Sequence, residues 1–135
     1  MTGNLETIVV QTISTYELRT KLERKERFEF WNVLTDDYYS NENIVGSRHV
    51  PLDRIGREVA RLGLNKQTEI IVYCSGPECL LSSFAYEKLL RLGYLNVKVY
   101  AGGLDAWESA GLRIDRYQSL FIPELLEPIA VRLHY

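Results

Sequence analysis

Apolar positions along the chain alternate between short continuous runs and stretches with helical spacing. Ile8, Val9 and Val10 form a β-branched run that predicts a first short strand. Ser14 stands three residues before Glu17, a capping-box pairing that predicts a helix through about Arg24. Residues 28–34 are rich in aromatic and β-branched side chains and read as a second strand. Residues 36–43 are polar and turn-rich, hence a loop. Val50-Pro51 ends a short extended piece, and Asp53 is placed to cap a helix running towards Leu62. Residues 69–73 contain Ile70-Ile71-Val72, an unbroken apolar run that fits a central strand covered on both faces. After a break, Leu81, Ala85, Leu89 and Leu92 recur at helical spacing, with Glu87, Lys88 and Arg91 off the stripe. Gly93 suits the end of that helix. Residues 97–100 predict another strand, and Gly102-Gly103 opens a turn into a helix that holds Trp107 and ends near Gly111.

Strands alternating with helices predict an α/β domain: a mostly parallel central sheet with helices on both faces. The 135 residues suit one domain, with a core over about 8–115 and a C-terminal extension over about 116–135. Pro123 and Pro128 interrupt the extension, but Phe121, Ile122, Leu125, Leu126, Ile129 and Val131 make it too apolar for a disordered tail. It is expected to pack on the domain or on a second copy, giving a homodimer.

Composition narrows the function. Hydrophobic residues make up 46% and charged residues 25%, ordinary for a soluble domain. The formal net charge of −2 supplies no basic field for nucleic acid or for an anionic membrane. The alternation of Arg, Lys and Glu over 19–27 reads as a solvated helix face. No apolar run approaches the roughly 20 residues that a spanning helix needs. The first six residues lack the basic start and apolar stretch of a signal peptide, and two cysteines are too few for a secreted disulfide framework. A cytoplasmic protein is expected.

Cys74 is the candidate for chemistry. It falls directly after the central strand and before a helix, where sites in open α/β sheets lie. The segment Cys74-Ser75-Gly76-Pro77-Glu78-Cys79 breaks regular structure. If it curls around the Cys74 sulfur, the backbone amides of Ser75, Gly76, Pro77's neighbours and Glu78 form an anion nest, reinforced by the positive end of the following helix. Such a setting lowers a thiol pKa from about 8.5 into the range of about 3.5–7.5 and makes a nucleophilic thiolate. The bland alternative is a small buried hydrophobe, which free cysteines often are. An inert core cysteine needs no such loop.

The run from Ile70 to Cys74, its short Gly-containing loop and the helix after it resemble the active-site segment of rhodanese-like sulfurtransferases. Downstream, Gly102-Gly103-Leu104-Asp105-Ala106-Trp107 is similar to that family's Gly-Gly-x-x-Ala-Trp ending, and residues 43–51 loosely resemble its Gly-His-Ile-Pro-Gly-Ala segment. The resemblance implies a cysteine that takes a sulfur atom as a persulfide and passes it to a nucleophilic acceptor. It implies a small donor (thiosulfate, polysulfide or persulfide) and a thiol acceptor, which can be a protein, with no metal or other cofactor. Six residues from the cysteine onward, without a closing Arg, go with sulfur transfer in that family. Phosphatase chemistry would want a cationic clamp.

The chain departs from the family pattern in three places. The loop has no basic residue and carries Glu78, which disfavours an anionic donor. Asn32-Val33-Leu34 stands where the family has Asp-Val-Arg, and Asn43 stands where it has His. His49 is a nearby His for which a structural role is the simpler expectation. Cys79 closes a Cys-x-Gly-Pro-x-Cys loop like that of a subset of the family. It is a candidate second or resolving thiol, able to attack an activated Cys74 sulfur, or else a residue that merely packs at the helix start. With His49 and His134 lacking ligand spacing, the pair is not expected to bind zinc. Two other functions fit the same residues: a redox or sulfide sensor using Cys74 and Cys79, and a non-catalytic binding module.

Overall fold

A computed structural model describes residues 9–116 of the chain. In chain order its elements are α1 (Thr15–Glu23), β1 (Glu29–Asn32), β2 (Glu42–Ile44), β3 (Arg48–His49), α2 (Ile55–Leu62), β4 (Ile70–Tyr73), α3 (Leu81–Arg91), β5 (Val97–Val99), α4 (Gly103–Ser109) and β6 (Ile114–Arg116). The expected extension lies, beyond Arg116, outside the described residues, as do Ile8 and any pairing with a second copy through that extension. Among the described residues, no helix is long and apolar enough to cross a membrane.

The central sheet has the order β3-β1-β4-β5, and every pair is parallel. All four residues of β4 are buried, as a central strand covered on both faces requires. Its apolar run lies in register with β1, so that Phe30 faces Ile71, Trp31 faces Val72 and Asn32 faces Tyr73. The C-terminal edge of the sheet therefore carries Asn32, Tyr73 and, one residue on, Cys74.

The local signals at helix ends act as expected. Ser14 Oγ accepts from the Glu17 amide while the Glu17 carboxylate accepts from the Ser14 amide, a complete capping box. Ala85 and Leu89 of the α3 stripe are fully buried, and Gly93 adopts φ +97° just past the helix. Trp107 is core: it is 2% exposed, meets Tyr100 edge-on, and donates Nε1–H to the Arg113 carbonyl at 3.0 Å.

Three elements differ from expectation. The predicted first strand does not form at Val9 and Val10: a parallel bridge to Val99 falls two residues later, at Thr12, and Val9 is 72% exposed. Asp53 lies inside a 3-10 turn, Leu52–Arg54, that precedes α2, and gives α2 no side-chain cap. The expected loop over 36–43 ends in β2, which pairs antiparallel with β6. That pairing joins residues about 70 positions apart, and local pattern carries no trace of it.

Candidate active site

Two features hold the cysteine loop. Within it, the Cys79 amide donates to the Gly76 carbonyl at 3.0 Å, which closes the turn. From outside, the amides of Leu104 and Asp105 at the start of α4 donate to the carbonyls of Cys74 (3.1 Å) and Ser75 (2.8 Å). With its carbonyls tied to α4, the loop is free to turn N–H groups inward. Gly103 makes this approach feasible. It adopts φ +62°, and a Cβ there would stand 2.5 Å from the Cys74 carbonyl and 2.8 Å from the Gly76 amide. The Gly-Gly-x-x-Ala-Trp run is thus the clamp of the cysteine loop.

The inward N–H groups meet two sulfurs rather than one. The Cys74 thiol donates towards Ser82 Oγ, in the first turn of α3, at 3.4 Å and lies 3.5 Å from the Cys79 carbonyl oxygen, while hydrogen bonding from Ser82 favours its anion. The Leu81 amide, the Ser75 amide and the Ser75 hydroxyl are directed to Cys79. These are helix N-terminal and turn donors without backbone acceptors, which sulfur anions satisfy. The two thiols lie close enough for each to influence the other's ionisation.

This sharing overturns the expected depression of the Cys74 pKa. Burial first, and the hydrogen bond to Cys79 second, push the Cys74 thiol up to about 11, despite the Ser82 donors. Cys79 is lowered: its own burial opposes ionisation, but hydrogen bonds from Cys74, Leu81 and Ser75 outweigh it. The pair titrates as a unit, with its first negative charge favoured on Cys79.

A cleft of about 870 Å³ opens over the loop, lined by Leu34, Tyr38, the loop residues 75–79, Leu80, Leu81 and Asp105. Ser75, Gly76, Pro77, Glu78 and Cys79 all reach this wall; Cys74, 1% exposed, lies beneath it. The charged side chains on the wall are the carboxylates of Glu78 and Asp105. Sequence reasoning missed Asp105, whose carboxylate sits so close to Gly76 that a Cβ at Gly76 would come within 2.5 Å of it. The signal was available, because Asp105 lies inside the Gly-Gly-x-x-Ala-Trp run.

Behind Leu34 a neutral network takes the place of charged support. Buried Asn32 accepts from the Leu34 amide (3.0 Å) and donates to the Glu42 carbonyl (3.0 Å) and Asn43 Oδ1 (3.2 Å). Asn43 donates to the Tyr39 hydroxyl at 2.7 Å. Tyr39 stacks on His49 with ring centroids 3.5 Å apart, and His49 Nε2 lies 2.6 Å from the Leu34 carbonyl. His49 is therefore occupied in bracing Leu34, away from the cysteine pair. Among the described residues, no group of three or more Cys, His, Asp or Glu gathers in a way that would hold a metal ion.

Comparison with known proteins agrees with this fold. The family model described as Rhodanese-like domain matches residues 14–110. A protein from Bacillus halodurans superposes with a TM-score of 0.70 at 22% identity, covering 88% of this chain and 89% of its own. The rhodanese-like domain of an Anabaena protein superposes at 0.69 with 23% identity, covering 86% and 89%. A thiosulfate sulfurtransferase from Pseudomonas aeruginosa superposes at 0.68 with 27% identity over 79% of this chain but 20% of its own length. No curated protein matches the chain.

Proposed function

We propose that this chain, which belongs to the rhodanese-like domain family, is a sulfurtransferase that carries a sulfur atom as a persulfide on Cys74 and hands it to a thiol. The observation that carries this reading is the convergence of the Ser75, Leu81 and Ser82 amides on the cysteine pair beyond the C-terminal end of β4. Such donors stabilise the outer sulfur anion of a persulfide without a cationic side chain. The thiosulfate sulfurtransferase among the structural neighbours lends the reaction class further support.

The wall of the cleft narrows the donor. Glu78 and Asp105 repel a dianion such as thiosulfate, whereas a persulfide on a small thiol or on a protein brings less negative charge to the mouth. Tyr38 and Leu80, 69% and 61% exposed, offer apolar surface to the rest of such a molecule. Both cysteines are free thiols, which a reducing cytoplasmic setting would maintain.

The test is intact mass after incubation with cysteine persulfide, polysulfide or thiosulfate. The wild-type chain should gain one sulfur atom, fastest from the persulfide, and pass it to an added acceptor thiol, whereas Cys74→Ala should deliver none to that acceptor. An unmodified wild-type chain with all three donors would sink the reading.

A further inference from the structure

The cysteine that a visiting molecule meets in the cleft is Cys79. It lines the wall and is half-buried, while Cys74 is covered by the loop and bonded to Ser82 below. The two cysteines sit side by side, the Cys74 sulfur 3.5 Å from the Cys79 carbonyl oxygen, and hydrogen bonding from Cys74, Leu81 and Ser75 favours the Cys79 anion. The outer sulfur is thus placed for attack on a donor, and the inner one for receiving what the outer one has taken. A residue that only packed at the helix start would need neither the donors nor the contact with Cys74.

We propose that Cys79 is a second catalytic cysteine, which takes the sulfur atom from a persulfide donor at the cleft wall and relays it inward to Cys74. The relay rests on the sulfurtransferase reading above. In the first step the Cys79 thiolate attacks the outer sulfur of the donor R–S–SH. A new S–S bond forms, the donor's S–S bond breaks, and its electron pair leaves as R–S⁻, giving Cys79–S–SH. In the second step the Cys74 sulfur attacks that same outer sulfur while its proton passes to the departing Cys79 sulfur. The products are Cys74–S–SH and Cys79–SH. The transferred sulfur carries its oxidation state through both steps, so no separate oxidant or reductant is consumed.

The lowered thiol pKa of Cys79 and the raised one of Cys74 agree with this order, since the thiolate is the attacking form.

Cleavage after Glu78 separates the two cysteines into different peptides, so the position of the sulfur can be read directly. Wild type, Cys74→Ser and Cys79→Ser are mixed with cysteine persulfide, quenched by alkylation at successive times, digested with a glutamate-specific protease and mapped by mass. In wild type the sulfur should appear first on Cys79 and accumulate on Cys74. In Cys74→Ser it should remain on Cys79, and in Cys79→Ser the loading of Cys74 should slow by roughly ten-fold or more. Equal loading rates for Cys79→Ser and wild type would overturn the relay while leaving the sulfurtransferase reading intact. So would a Cys74–Cys79 disulfide with released hydrosulfide, which means that Cys79 attacks the inner sulfur instead. Absence of sulfur from both peptides in wild type would remove the reading itself. Should Cys74→Ser fail to fold, the order of appearance in wild type and the rate of Cys79→Ser decide the question.

Discussion

Asn32 donates its side-chain amide to Asn43 Oδ1 across 3.2 Å, joining the end of β1 to β2. In sequence these are two separate departures, from a family Asp and a family His. In the structure they meet as one neutral amide pair. The neutral pair keeps the Leu34 amide bonded without burying a charge, whose desolvation is expensive.

Asn32→Ala should therefore cost about 1–3 kcal/mol for each buried group it strands, chiefly the Leu34 amide and the Asn43 oxygen. Asn32→Asp alone should also destabilise, because carboxylate oxygens would then face the Glu42 carbonyl and Asn43 Oδ1. Adding Asn43→His restores a donor and should recover a substantial part of the loss. Urea unfolding of the two single variants and the double variant measures the coupling.

Gly103→Ala tests the clamp. The added Cβ meets the Cys74 carbonyl at 2.5 Å on a backbone at φ +62°, so stability should fall by roughly 1–3 kcal/mol and persulfide loading with it. Gly111→Ala is the control, since φ there is +76° but no atom lies within 4 Å. It should lower stability by about 1–2 kcal/mol and leave loading intact. Thermal melts beside loading rates separate strain from site damage.

The acidic cleft predicts donor choice. Glu78→Lys should raise the rate of loading from thiosulfate by roughly five- to ten-fold at low ionic strength, and the gain should shrink as salt is added. Loading from a neutral trisulfide should change little. A salt-independent gain would point to altered loop structure instead of charge.

Glu58 sets an acid limit on the fold. Hydrogen bonds from Arg61, then Arg48, hold its carboxyl at about 2 against burial that opposes ionisation. A folded value below the unfolded value of about 4.5 means that the stabilisation is complete above pH 4.5 and is lost as pH falls towards 2. Glu58→Gln should lower stability at neutral pH and flatten this part of the acid titration, as followed by circular dichroism.

The α/β order was legible because its signals are local. The Ser14–Glu17 box, the apolar run of β4 and the α3 stripe each act within one or two turns of chain, where sequence spacing equals spatial spacing. The same holds for Cys74, since the end of a buried strand before a helix is a position that sequence alone defines. Tertiary structure decided the rest. The β2–β6 pairing, the Asn32–Asn43 contact and the seat of Asp105 all join segments that only chain closure brings together. Closure also set the direction of the loop amides. With α4 holding the carbonyls of Cys74 and Ser75, Ser82 serves Cys74 while Leu81 and Ser75 serve Cys79, and burial falls on the former. Sequence placed two sulfurs on one loop; which of them ionises first depends on desolvation and donor geometry, and those exist only in the folded chain.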